Sequence, residues 1–131
     1  MNPEINSATS KSADATAIKA AFTILDRWGA SAEQQQSILQ LAKATYYKHR
    51  SGGEPKLTGD QLTRISYLLN IHASLRTVFE NPTNVYGFMA MPNNNAYFNG
   101  AAPLTLIGSG AFGTLYEVAK RIDALRGGMW G

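Results

Sequence analysis

TGDQLTRISYLLNIHASLRTVF, residues 58–79, carries the most regular apolar spacing in the chain. Leu62, Ile65, Leu68, Leu69, His72, Leu75, Val78 and Phe79 recur at steps of three and four, the period of an α-helix. Thr58, followed three residues later by Gln61, makes a capping box. Each of the two side chains satisfies a backbone N–H that the first helical turn leaves without a partner. Asn81-Pro82 ends the run and can open another helix, with Asn81 as N-cap and Pro82 at the first helical position. A helix of this length with one wide apolar face needs other elements to cover it.

The flanking sequence supplies helices and no strand. Residues 1–16 read as a flexible polar tail, because 1–13 (MNPEINSATSKSA) have no period. Ile18, Ala21, Phe22, Leu25 and Trp28 then share a helical face that Gly29 closes. Ser31 and Gln34 form a second capping box, and Ile38 and Leu41 give that helix its apolar side. A third short helix, about 42–50 (AKATYYKHR), stops at Ser51-Gly52-Gly53. Downstream of Pro82, Val85, Tyr86, Phe88 and Met89 fill a short helix, and Asn93-Asn94-Asn95 and Asn99-Gly100 are loop chemistry. Pro103 starts a single turn through Ile107. Leu115, Val118, Ala119, Ile122 and Leu125 line a last helix, which Gly127-Gly128 stop. The expected fold is all-α.

One stretch argues against this reading. GSGAFG, residues 108–113, spells G-x-G-x-x-G, the form of a phosphate-binding loop. A dinucleotide site needs a strand before it and an acidic residue about 20 residues beyond. Here a proline-headed A-P-L-T-L-I precedes it and 18 residues follow Gly113. A kinase would need a catalytic loop and a metal-binding aspartate downstream. The stretch therefore reads as a tight entry to the last helix, with Ser109 as its N-cap candidate.

Composition narrows the class. The absence of cysteine excludes a disulfide framework and thiolate chemistry. No apolar run is long enough to span a membrane and no signal-peptide layout is present, so a cytoplasmic protein is expected. A net charge of +3 favours polyanions only weakly. No charged residue occurs from 81 to 116, 36 positions rich in Asn, aromatics and Met. Two readings fit such a segment, a largely buried one or the charge-depleted centre of a protein–protein interface. No nucleophile–base or carboxylate pair stands out. His72 lies on an apolar face as a core histidine, and His49 sits among cations. Neither an enzyme nor a cofactor or metal site is expected.

The segment 17–50 has the layout of a helix-turn-helix, whose second helix enters the major groove. That helix offers Lys43, Thr45, Tyr46, Lys48 and Arg50 with no acidic residue. These side chains suit phosphates and base edges. The stripe Ala42, Thr45, Tyr46, His49 implies that some of them instead face the core.

Longer stretches carry a resemblance to a known family. KATYYKHRSG, LTGDQLTRISYLLNIHASLRTVF, NPTNVYGFMAMPNNNAYFNGAAPLTLI and YEVAKRIDALRGGMW resemble the Xre/MbcA/ParS antitoxins, and more narrowly the Xre antitoxins paired with RES-domain toxins. The likeness covers roughly residues 17–130. It implies a helix-turn-helix DNA-binding region over 17–56 and a helical dimerisation and toxin-binding domain over 57–131. It also implies a homodimer that represses its own operon by binding operator DNA. The partner implied is a NAD-degrading RES toxin, whose active site the antitoxin blocks in a larger complex. Carried over by position, Lys43, Thr45, Tyr46, Lys48 and Arg50 match the DNA-facing helix. Asn93, Asn94, Asn95, Phe98, Asn99, Pro103 and Leu104 match the toxin-binding signature. Ala102 departs from the Thr or Ser that often caps the helix at the family's Pro-Leu. Arg121 and Arg126 are further toxin-binding candidates or ordinary helix surface. Trp130 is either an anchor in the toxin or a ring folded back on its own chain. A stand-alone regulator with a sensing or self-association domain is the alternative function, and a nucleotide-binding fragment a remote third.

Overall fold

The computed structural model describes the backbone of residues 3–127 and, within it, the side chains of 13–127. Seven α-helices follow one another: α1 (Pro3–Arg27), α2 (Ala32–Leu39), α3 (Lys43–Arg50), α4 (Gly59–Val78), α5 (Pro82–Gly87), α6 (Pro103–Ile107) and α7 (Phe112–Ala124). Single 3₁₀ turns extend α5 (Phe88–Ala90) and α7 (Leu125–Gly127), and no strand occurs among the described residues. The fold is all-α, a helix-turn-helix followed by a helical C-terminal part.

The punctuation visible in the sequence sets these boundaries. Ser31 with Gln34 and Thr58 with Gln61 each form a complete capping box. The Asn81 side chain accepts from the Asn84 N–H ahead of Pro82, and Gly29 closes α1 at φ +82°. One boundary differs. The backbone is helical from Pro3, so 3–16 are not an irregular tail. No glycine or proline interrupts residues 4–27, and the Asp14 carboxylate accepts from the Leu57 N–H at 3.0 Å, tying the helix to the loop before α4.

A single hydrophobic cluster runs through the molecule, with α4 at its centre. Ile65, Leu68, Ile71 and Leu75 are buried. α4 packs chiefly against α7 and α1, and Leu115, Val118 and Ile122 of α7 and Leu25 of α1 are buried in the same cluster. The apolar stripe of α4 is wider than the face it buries. Leu62 and Leu69, expected inside, point outward and are each 38% exposed.

The glycine stretch becomes intelligible where α2, α4 and α7 converge. Gly110 has φ +80°, and a Cβ there would lie 2.8 Å from both the Ser37 carbonyl oxygen and Gln40 Nε2. Arg64, buried on α4, donates from Nη1 to the carbonyls of Ile38 (3.2 Å) and Gly110 (2.8 Å). Its Nε donates to Asp60 at 2.8 Å, and its guanidinium lies 5.5 Å from the centre of the Phe112 ring. The α7 N-cap is Ala111, not Ser109. The Ser109 hydroxyl accepts from the Ala111 N–H at 3.2 Å, two residues too early to cap the helix. GSGAFG is thus a packing device in which one glycine matters most. Gly110→Ala is expected to cost about 2–4 kcal/mol, summing a left-handed backbone penalty with overpacking against backbone. Gly113→Ala, on a helical residue with open space at its Cβ, should be neutral or stabilise by up to about 1 kcal/mol. Denaturant titration of the two variants measures the contrast.

Candidate functional site

A chain of polar side chains, buried at Tyr46 and Gln35 and open to solvent at Asp26 and Arg50, ties the helices of the helix-turn-helix together. The Tyr46 hydroxyl donates to Gln35 Oε1 (3.0 Å), and Gln35 Nε2 donates to Asp26 Oδ1 (2.8 Å) and the Ala30 carbonyl (3.2 Å). Arg50 closes the chain on Asp26 Oδ2 at 3.0 Å. Its guanidinium also lies over Phe22, 4.8 Å from the ring centre. Burial pushes the Tyr46 phenol up, against the pull of Arg50, so it stays a protonated donor.

The turn between α2 and α3 has no glycine. Gln40 takes the left-handed conformation (φ 55°) in its place. Its side chain donates to the Ser37 carbonyl (2.7 Å), and its own carbonyl accepts from Gln61 Nε2 (2.9 Å) on α4. These bonds offset the cost of a β-carbon at positive φ.

This geometry sorts the five residues expected to face DNA. Lys43, Thr45 and Lys48 are exposed. Tyr46, at 3% exposure, is a core residue and reads no base in this fold. Arg50 lies at the rim, where its fork is occupied by Asp26 and Phe22, so it positions α3 first. The outward face of α3 centres instead on Lys43, Ala44, Tyr47 and Lys48. Sequence reasoning misses Tyr47 (48% exposed), because two adjacent tyrosines point in different directions and only burial separates them. His49 is buried, and burial with the neighbouring Lys48 cation lowers its pKa. Burial, then Arg76 and Arg27, also lowers the pKa of His72, which stacks on Tyr86 at 5.3 Å. Both are therefore neutral structural imidazoles near pH 7. Among the described residues no group of three or more His, Asp or Glu is placed to hold a metal.

In the C-terminal part, residues 91–102 form a loop cinched at Asn93. The Asn93 N–H donates to the Ala101 carbonyl (3.1 Å), and its carbonyl accepts from the Gly100 N–H (2.8 Å). Its side chain accepts from the Asn95 N–H at 2.9 Å. Asn99 (φ 49°) and Gly100 (φ 88°) turn the chain back. The expected toxin-binding signature therefore divides. Asn94 and Asn99 are exposed, and Asn93 and Asn95 are half-buried and shape the loop. Phe98, Pro103 and Leu104 are buried beneath that surface. α6 starts at Pro103 with no side-chain cap from Ala102. The uncharged segment is not mainly core. Met91 (61% exposed), Phe112 (38%) and Tyr116 (43%) stand out from it.

α7 keeps its two arginine candidates apart. Arg121 lies 4.3 Å from the centre of the Tyr97 ring, next to the loop, and pairs with Glu117 at 3.5 Å. Arg126 pairs with Asp123 and lines a groove between α4 and α7 with Tyr67, Asn70, Tyr116 and Lys120. Trp130 falls outside the described residues. Among those, no helix is long and apolar enough to cross a membrane.

Two family models match successive segments of the chain. Residues 7–70 match the model of the antitoxin Xre-like helix-turn-helix domain. Residues 74–128 match that of the antitoxin Xre/MbcA/ParS C-terminal toxin-binding domain. The two segments meet inside α4. A relative from Sinorhizobium fredii, described only as "Uncharacterized protein y4oB", is 33% identical over 112 residues, which cover 85% of this chain and 84% of that protein. The chain belongs to the Xre/MbcA/ParS antitoxin family, with an Xre-like helix-turn-helix and the family's C-terminal toxin-binding domain welded together along α4.

Proposed function

We propose that this protein is the antitoxin of a type II toxin–antitoxin pair. It is a binding protein rather than an enzyme, and it acts in the cytoplasm as a homodimer. Its C-terminal half docks on a RES-type, NAD-degrading toxin and closes the toxin's active site. Its helix-turn-helix binds the operator of its own operon. The observation that carries the toxin-binding reading is the fate of the uncharged segment 81–116. It exposes Met91, Asn94, Asn99, Phe112 and Tyr116 instead of burying them. A charge-free surface rich in aromatics and Asn loses little on desolvation and gains much on docking. Co-expression with the product of the adjacent reading frame tests this. A stable complex that abolishes NAD loss by that product is expected, and no complex would overturn the reading.

For DNA, support comes from Lys43 and Lys48, exposed on one side of a helix that a hydrogen-bonded chain holds in place. Lys43→Ala combined with Lys48→Ala should weaken operator binding about tenfold or more. It should also lower the slope of log affinity against log salt by roughly 3–4 for the dimer, close to one counterion for each phosphate no longer neutralised by two lysines on each of two chains. Titrations at several salt concentrations read both numbers. An unchanged slope would move the DNA-binding surface away from α3.

A further inference from the structure

The outward face of α3 is apolar at its centre and basic at its edges. At about 100° per residue, the order around that face is Lys43, Tyr47, Ala44, Lys48, and all four are exposed. A helix lying in the major groove turns its central strip to the base edges and its flanks to the phosphates on either side. The two lysines therefore fall where charge is needed, and Tyr47 and Ala44 fall where bases are read.

That strip lacks the side chains that read hydrogen-bonding edges. Arginine reads guanine through a pair of bonds. The one arginine on α3, Arg50, is held by Asp26 at 3.0 Å and lies over Phe22. Asn or Gln reads adenine in the same paired way, and α3 (KATYYKHR) has neither. What remains at the centre is a methyl and a ring, which match the one apolar group in the major groove, the C5 methyl of thymine. The ring is already set for such a contact. Tyr47 meets Tyr46 edge-on, with centres 5.0 Å apart and planes at 79°. Tyr46 is itself fixed by its hydrogen bond to Gln35 (3.0 Å) and by an edge-on contact with Phe22 at 5.6 Å. Tyr47 is thus held on one side and open on the other. A ring ordered before binding loses less entropy when it is covered.

We infer that Tyr47, with Ala44 beside it, determines the sequence specificity of the helix-turn-helix by recognising the C5 methyl of thymine in the operator. Sequence is read by apolar fit, while Lys43 and Lys48 supply an attraction that does not depend on sequence. This rests on the operator binding proposed above and names the chemical group that is read. Covering one methyl contributes about fourfold in affinity. A homodimer with one such contact in each half-site gains roughly tenfold or more.

The test uses the full chain and the DNA upstream of its own operon, prepared once with thymine and once with uracil in its place. Uracil lacks only the methyl and keeps the base pairing and every phosphate charge. The parent should bind uracil DNA about tenfold more weakly, at an unchanged slope of log affinity against log salt. Tyr47→Ala should bind thymine DNA about as weakly as the parent binds uracil DNA, and should not distinguish the two. Its helical circular dichroism should be unchanged, since the ring is 48% exposed. Tyr47→Phe keeps the ring and should behave as the parent. Lys43→Ala with Lys48→Ala should lose affinity and slope yet keep the preference for thymine. Equal binding of the parent to both DNAs would overturn the inference and leave operator binding standing. A uracil penalty as large in Tyr47→Ala as in the parent would also overturn it, because the methyls would then act through DNA shape. Failure of the parent to bind either DNA would overturn operator binding itself, and the inference with it.

Discussion

Arg64→Met should lower the melting temperature by roughly 10–15 °C, the largest loss expected from any one α4 side chain. The arithmetic starts from the acceptors. Arg64 Nη1 serves two backbone carbonyls, Ile38 at the end of α2 and Gly110 before α7. A hydrogen bond to a charged group contributes about 1.5–3 kcal/mol, and a buried carbonyl left unpaired loses its hydration as well. Met preserves most of the packing of the stem, so about 3–4 kcal/mol is a fair total. At this chain length each kcal/mol is worth about 3–4 °C. Buried ion pairs are often replaced by apolar residues without loss. That exemption does not apply here, because the acceptors belong to the backbone and remain after the substitution. Arg64→Lys should recover little, since one ammonium group lacks the planar fork that reaches Asp60 and the two carbonyls together. Asp60→Asn should cost under about 1 kcal/mol, its carboxylate being half exposed. Scanning calorimetry on the three variants separates a carbonyl clamp from a simple ion pair. Equal losses for Arg64→Met and Asp60→Asn would show that the ion pair, not the clamp, is what counts.

Arg64 also marks the limit of what the sequence reveals. Helix caps are local chemistry, so Ser31–Gln34, Thr58–Gln61, Asn81-Pro82 and Gly29 are legible within a few residues of themselves. The acceptors of Arg64 lie 26 and 46 residues away in the chain, and no local signal announces a buried arginine. Gly110 is similar. Its motif is visible, but its reason, the close approach of the Ser37 carbonyl, exists only in three dimensions. Periodicity misplaces the start of α1 because it marks apolar faces, and residues 1–13 repeat no apolar side chain at helical spacing.

Within the candidate sites, residue type suggests function without distinguishing contact from support. Tyr46 and Tyr47 are chemically alike and adjacent, yet one closes a hydrogen-bond chain and the other faces solvent. Arg50 resembles a phosphate ligand until Asp26 and Phe22 are seen around it. Leu62 and Leu69 read as core because a helical period cannot say whether an apolar face meets its own chain or another. The family resemblance has the same weakness, since a signature records which residues recur and not which of them touch the partner.

That ambiguity is sharpest at Phe98, which lies inside the toxin-binding signature at 2% exposure. Its ring meets Tyr97 edge-on with centres 5.3 Å apart, and Tyr97 in turn carries Arg121. If Phe98 is scaffold, Phe98→Ala should destabilise the chain by about 3–4 kcal/mol through the burial forgone and the cavity left behind. Toxin binding would then fail because the loop from Met91 to Ala102 loses its floor. Phe98→Leu should retain most of the stability and bind toxin like the parent, since it refills the cavity and alters no exposed atom. Asn94→Ala should behave in the opposite way, with stability within about 0.5 kcal/mol of the parent and weaker toxin binding, because its side chain is exposed on that loop. Denaturant unfolding and a pull-down with the co-expressed toxin, run on the same three variants, place each residue. Should Phe98→Leu be as stable as expected yet fail to bind, the ring would be a contact after all, and the loop would have to open on docking to present it.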